Sequence, residues 1–345
     1  MSRFFKTPFT LSTVAAIALV ALIIGILAGR LFAPTSTSAN ANAPASSNRV
    51  DVIVKATDSQ FWQAMLAGAQ AAGKDWGVQV GLFGATSEAD VSDQVRLVEN
   101  SMSRNVKAIV LAASSSQALN GVIERAKSQN IKVITVDTKV TTASDGFIGT
   151  DNTKAGAQAA DRLGTTLQKK GVTSGQVLIE SSVAGVQTIV DRDSGFQVEL
   201  KTRFPGLQII AHRYNNNDTP TALSQTNDVL SANSGLVGIY ADNNVSADGV
   251  AQSLQENKAQ NRIVAVGFDS DPQEIGALKN GTLKALVVQN PYYFGYQGVL
   301  AAAMSAEGRF APPSLDPGAV LVDVDNMNTP AVQKLLSPPT TKGGA

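Results

Sequence analysis

The chain has no cysteine among its 345 residues. That excludes disulfides, thiolate metal sites, a cysteine nucleophile and a lipid-modified N-terminal cysteine as a membrane tether. Histidine occurs once, as His212, so no Ser/His/acid order is available to build a relay on, and His212 reads as a strand-end bystander. An excess of charge of one sign is also missing. The 28 basic and 28 acidic residues balance, and no basic stripe stands out, so no nucleic-acid partner is expected. No cluster has metal-ligand spacing. The stretch GLFGAT at 81–86 hints at a phosphate turn but lacks a third glycine and a following acid, so it reads as a loop. No catalytic residues, no metal and no cofactor are therefore expected, and the chain does not read as an enzyme. Aromatics are scarce at 6%, while hydrophobic residues reach 43%. With abundant Gly and Ala, that mix suits helices packed closely on parallel sheets. The length suits two domains plus a tail rather than one small core.

The first 48 residues carry no core-forming pattern. Arg3 and Lys6 give a positive start, Thr7 to Gly29 holds no charge, and Val14 to Ala28 is wholly apolar. Residues 1–32 thus read as an export signal or an N-terminal membrane anchor. A helix over the apolar core would rise only about 22 Å, short of a ~30 Å hydrocarbon layer; extending it back to Phe9 reaches a spanning length. Small-x-small sites at Ala39-Asn40-Ala41 and Ala41-Asn42-Ala43 lie well past the apolar run. Cleavage and a tether through residues 9–29 both stay open. Either way the basic start keeps the N-terminus inside and the body is exported, periplasmic or otherwise extracytoplasmic. Residues 33–48 (APTSTSANANAPASSN) form a polar linker.

From Arg49 the pattern changes. Short β-branched runs (VDVIVKA, VQVGLF, VKAIVLA, IKVITVD, GFIGT, GQVLIESS, LQIIAHR, GLVGIYA, RIVAVGFD, LKALVVQ) alternate with helix-period segments such as 61–76, 91–102, 119–129, 154–168 and 220–230. Strands that are apolar throughout belong to a parallel sheet covered on both faces. Strand–helix alternation with short loops means βαβ units. Ten strands fit two sheets of about five better than one. No internal repeat is strong enough to claim from the sequence.

Polar residues recur just after these apolar runs. Asp137 follows VITV, Asn243 follows VGIYAD, Asp269 follows IVAVGF and Gln289 follows LKALVV; Arg192 lies in an amphipathic segment after VLIESS. In open α/β sheets ligands bind outside the carboxyl ends of the strands. Acids, amides and a guanidinium there suit a small hydroxylated molecule, since carboxylates accept from hydroxyls and an arginine fork donates to them. Blander readings stand beside each. Asp137 also suits a loop or cap, Arg192 a solvated helix position, Phe61 and Trp62 a staple into the core, Asn243 an N-cap, and Gln289 before Pro291 a shaped turn.

Ordered blocks carry a resemblance. DSQFWQAMLAGAQAAGKDWG, the run from DVSDQV to KVITVDT, DNTKAGAQAADRL, DRDSGF, YADNNVSADGV, VAVGFDS and VVQNPYYFGYQGV occur in this order along the chain. From about residue 50 to 325 the chain resembles the type I periplasmic sugar-binding proteins of ABC transporters, the class that includes the ribose-binding proteins. The resemblance implies an α/β fold of two Rossmann-like lobes, each a parallel sheet flanked by helices, joined by a hinge of three crossings. It implies an N-terminal lobe of 50–150 plus 290–317, a C-terminal lobe of 151–289 plus 318–330, and a flexible tail at 331–345. By position it implies a ligand site of Ser59, Phe61, Trp62, Asp137, Thr138, Arg192, Asn217, Asn243, Asp269 and Gln289. Ser59 stands where ribose binders have Asn, Thr138 where they have Arg, and Asn217 or Tyr214 nearest the place of a further aromatic. Those departures put ribose itself in doubt and keep a sugar or polyol. The implied function is capture of a monosaccharide or polyol by hinge closure and delivery to an ABC permease, by a monomer. The alternative is a membrane-anchored sensor presenting ligand to a kinase or other receptor.

Overall fold

Strand interiors form where both faces can be apolar. The computed structural model describes residues 48–309 and 314–341. Within it β1 (Arg49–Val54), β3 (Ala108–Leu111), β4 (Lys132–Val136) and β5 (Gly146–Ile148) are buried along nearly their whole length. They join β2 (Gln79–Gly84) in a parallel sheet ordered β2-β1-β3-β4-β5. The second sheet contains β6 (Gly175–Ser181), β7 (Leu207–Tyr214), β8 (Leu236–Ala241), β9 (Val264–Phe268), β10 (Leu283–Val288) and β11 (Val320–Val322). Its order is β11-β10-β9-β8-β6-β7, and all its pairings are parallel except β10 with β11. The edge strands β2 and β7 are only partly covered, as expected where one side has no neighbour. The two-lobed, mostly parallel α/β architecture expected from the sequence is the one observed. The short antiparallel β11 was not foreseen.

The helices between strands are α1 (Gln60–Trp76), α2 (Val91–Ser103), α3 (Asn120–Ser128), α4 (Asn152–Lys169), α5 (Gln187–Arg203), α6 (Thr219–Ala232), α7 (Asn244–Glu256), α8 (Pro272–Lys279), α9 (Pro291–Ala306) and α10 (Pro330–Leu336). Their starts follow capping chemistry. Asp90, Asp151, Asp218, Asn243, Asp271 and Asn290 each accept a backbone N–H from the first turn, and Asp271 forms a full capping box with Glu274. The five helical stretches read from periodicity end within two residues of α1, α2, α3, α4 and α6.

Each lobe contains a helix pair whose backbones nearly touch. In the C-terminal lobe α4 meets α5 at Gly156 and Gly195, where an added Cβ would lie 1.9 Å from the carbonyl oxygens of Arg192 and Thr153. In the N-terminal lobe α1 meets α9 at Gly68 and Gly295 in the same way. Only glycine admits backbones this close. The lobes are thus built on one plan that the sequence does not display as a repeat.

The chain passes between the sheets three times. It leaves β5 for α4 through Gly149–Asp151, and leaves β10 for α9 through Gln289–Asn290. It returns after Leu315, which bridges Ile148 of the first sheet before the chain enters β11 in the second. The expected flexible tail is corrected over its first part. Residues 330–336 form α10, whose Val332 and Leu336 are buried in the C-terminal lobe core with Leu278 and Val322. Apolar spacing over two turns is enough to dock so short a helix. Among the described residues no helix is long and apolar enough to cross a membrane. The expected signal or anchor at 1–32 and nearly all of the linker lie outside the described residues.

Candidate functional site

The strand ends of both sheets open onto one pocket. Asp137 directly follows β4 and Asp269 directly follows β9, each with left-handed backbone, φ +61° and +77°. Each amide donates to the adjacent strand, Asp137 to the Ile148 carbonyl and Asp269 to the Val287 carbonyl, both at 2.9 Å. The strained turn is therefore tied to the sheet, and both carboxylates line the pocket, one from each lobe.

On the N-terminal side Asp137 is held in a buried ion pair. Its Oδ2 lies 2.9 Å from Lys55 Nζ and accepts the Thr138 hydroxyl at 2.9 Å. Lys55 Nζ also sits 5.5 Å from the centre of the Trp62 ring. Phe61 and Trp62, in the first turn of α1, meet edge to face with centroids 4.8 Å apart at 83°. Both line the pocket, together with Ser59, which caps α1 by accepting the Trp62 N–H at 3.5 Å. Trp62 is 3% exposed, so it serves the core and the pocket at once.

On the C-terminal side Arg192 is the centre. It projects from α5, buried, with its guanidinium over the Phe268 ring at 3.7 Å. Its Nε donates to Asn152 Oδ1 at 2.8 Å, Nη1 to the Asp242 carbonyl at 2.8 Å and Nη2 to Gln289 Oε1 at 2.7 Å. Gln289 in turn donates to Thr150 Oγ1 at 2.8 Å. A guanidinium carries five N–H groups, so about two are left over for a ligand. Asp269 lies beside this cation with its Oδ1 buried and unpartnered. Burial pushes its carboxyl up to about 7, against the pull of Arg192. A buried acceptor without a partner, next to unused donors, is the arrangement a hydroxylated ligand completes.

Eight of the ten residues expected at the site line this pocket: Ser59, Phe61, Trp62, Asp137, Arg192, Asn243, Asp269 and Gln289. Thr138 and Asn217 do not, which corrects their placement. Thr138 is buried behind Asp137 and spends its hydroxyl on that carboxylate. Asn217 accepts from Asn243 Nδ2 at 2.7 Å and so backs a pocket residue. Asn243 is also the N-cap of α7, accepting the Ser246 N–H at 2.9 Å, so one residue both caps the helix and lines the pocket. His212 lies outside the lining, 2.9 Å from Asp193 Oδ2 and 3.0 Å from Ser181 Oγ. Sequence reasoning missed Lys55, Glu88, Thr188 and the apolar wall of Val183, Val186 and Ile189. Lys55 follows the apolar run of β1, so the rule that found Asp137 should have found it. The wall lies on the loop after β6 and in the start of α5, where apolar residues give no chemical signal.

Comparison with known proteins fits this geometry. The profile of a family described as "periplasmic binding protein domain" matches residues 50–309. The D-allose-binding periplasmic protein of Escherichia coli is 29% identical over 281 residues, covering 79% of this chain and 89% of its own. A carbohydrate transporter solute binding protein from Agrobacterium radiobacter, solved with D-arabinose, is 35% identical with a TM-score of 0.83, covering 86% of this chain and all of its own. An ABC transporter solute binding protein from Agrobacterium vitis with bound D-fucose is 34% identical with a TM-score of 0.80, covering 84% of this chain and all of its own. The match spans three quarters of the residues and both lobes, and the chain belongs to the periplasmic binding protein family.

Proposed function

We propose that the protein is an exported solute-binding protein that takes a monosaccharide or polyol into the interlobe pocket, closes on it and delivers it to an ABC permease. The observation that carries this reading is the pairing of the unpartnered Asp269 carboxylate with the partly used Arg192 fork, in a pocket also lined by Phe61 and Trp62. A sugar offers hydroxyls that donate and accept, and C–H faces that pack on aromatic rings. Charge-assisted hydrogen bonds of this kind contribute roughly 1.5–3 kcal/mol each. Closure follows because the N-terminal and C-terminal contacts form together only when the lobes approach. The relatives named above are binding proteins rather than catalysts, and this chain is proposed to act in the same way, as a monomer.

Residues 1–32 are proposed to direct the chain across the cytoplasmic membrane. Mass spectrometry of the mature protein separates the two forms: an N-terminus within 33–45 marks cleavage, and an intact one marks a tether. A thermal-shift screen of D-allose, D-ribose, D-arabinose, D-fucose and inositol tests the ligand class. At least one should raise the melting temperature, and stabilisation by amino acids or aromatic acids alone would refute the assignment.

A further inference from the structure

Glu88 lies on the loop between β2 and α2, at the N-terminal lobe's side of the pocket. Its Oε1 accepts the Trp62 indole N–H at 2.7 Å. Because Trp62 is anchored in the lobe core, that bond fixes the direction of the carboxylate. Among the described residues no other hydrogen bond reaches it, so Oε2 is without a partner on a residue that lines the pocket. An indole N–H needs one acceptor, and an amide oxygen would satisfy it without half-burying a charge. A carboxylate here provides one acceptor more than the tryptophan uses.

Lys55 gives that second oxygen a context. Its ammonium is bonded to Asp137, and burial pushes the Glu88 carboxyl above its ordinary range, which the charge of Lys55 only partly offsets. An ammonium has three N–H groups, and Asp137 takes one. The N-terminal wall thus offers two carboxylates near one cation, of which only Asp137 is in ion-pair contact with it. Two hydroxyls on adjacent ring carbons fit such a set: each accepts from the ammonium and donates to one carboxylate.

We propose that Glu88 is a specificity-determining residue whose Oε2 accepts one ring hydroxyl of the bound sugar, adjacent to the hydroxyl that Asp137 accepts. The proposal rests on the sugar-binding reading and names the feature read: a vicinal diol facing Glu88, Lys55 and Asp137.

The variant Glu88→Gln tests it. Its amide oxygen can still serve Trp62, while its amide nitrogen turns the second acceptor into a donor. Calorimetry on wild type and variant uses the tightest binder among D-allose, D-ribose, D-arabinose and D-fucose, then each of its monodeoxy analogues. The variant should lose about tenfold or more in affinity for the parent sugar. That loss should vanish for the one analogue lacking the hydroxyl read by Glu88, and persist for analogues deoxygenated away from the diol. An equal loss on every analogue, or no loss on any, overturns the role of Glu88 while leaving sugar binding in place. A wild-type protein that binds none of the four sugars overturns the ligand class and the role of Glu88 with it.

Discussion

Arg192 shows how much one side chain carries. It stacks on Phe268 and bonds Asn152, the Asp242 carbonyl and Gln289. Arg192→Ala removes a charged donor from the ligand and unpairs the groups around it. Affinity should fall by about 2 kcal/mol or more, on the order of 30-fold, in a calorimetric titration; an unchanged affinity would place the ligand elsewhere. Glu180 makes a different prediction. It is buried in β6 with Oε2 unpartnered, and its carboxyl is pushed up to about 7 by burial, which the hydrogen bond from Asn215 only partly offsets. A carboxyl raised in the folded state binds a proton that the unfolded chain has lost, so stability falls as pH rises from about 4.5 to 7 and is then flat. Glu180→Gln should therefore flatten the stability profile of the protein. It should melt higher than wild type at pH 8 and close to wild type at pH 4.5, by denaturation followed at both pH values. The polar residues at strand ends were legible in the sequence because β-strands end where apolar runs end, and in a parallel sheet those ends converge. Thr138 and Asn217 back pocket-lining residues, and such a residue has the same sequence position signal as one that lines the pocket.

At the scale of elements, the α4–α5 contact ties helix packing to the site. The Arg192 carbonyl lies where a Cβ on Gly156 would fall. Gly156→Ala should force the helices apart and cost roughly 1–3 kcal/mol of stability. It should also weaken ligand binding, because the residue displaced is Arg192 itself. Thermal unfolding and a titration on the same sample check both; a loss of stability with full affinity would show that α5 can shift without moving the fork. Central strands such as β3, β4 and β9 were readable because burial on both faces leaves only apolar residues. The strand β11 has three residues and one neighbour, too few for a periodic pattern. Helix α5 was read only as an amphipathic segment, since its buried face includes Thr188, Arg192 and Asp193. The site's own polar residues hide the helix that presents them.

For the whole molecule, the hinge and the pocket share one hydrogen-bonded chain. Thr150 lies in the first crossing, Asn152 just beyond it, and Gln289 opens the second; Arg192 bonds Asn152 and Gln289, and Gln289 bonds Thr150. The pocket and both crossings are thereby linked through one residue. A further link runs outside the pocket. Beyond α10, the Thr341 N–H donates to the Gln63 carbonyl of α1 at 3.4 Å, so chain anchored on the C-terminal lobe reaches the N-terminal one. Ending the chain at Ser337 should speed ligand release in a stopped-flow experiment without altering the fold; an unchanged rate would show that this segment does not restrain opening. In the proposed function the two strand-end carboxylates and Arg192 together bind a monosaccharide. Calorimetry of the wild type, Asp137→Asn, Asp269→Asn and Arg192→Ala against D-allose, D-arabinose and D-fucose tests it most directly. The wild type should bind at least one of these sugars one to one, and each variant should lose about tenfold or more in affinity; binding that survives all three substitutions, or no binding of any sugar by the wild type, would rule this site out.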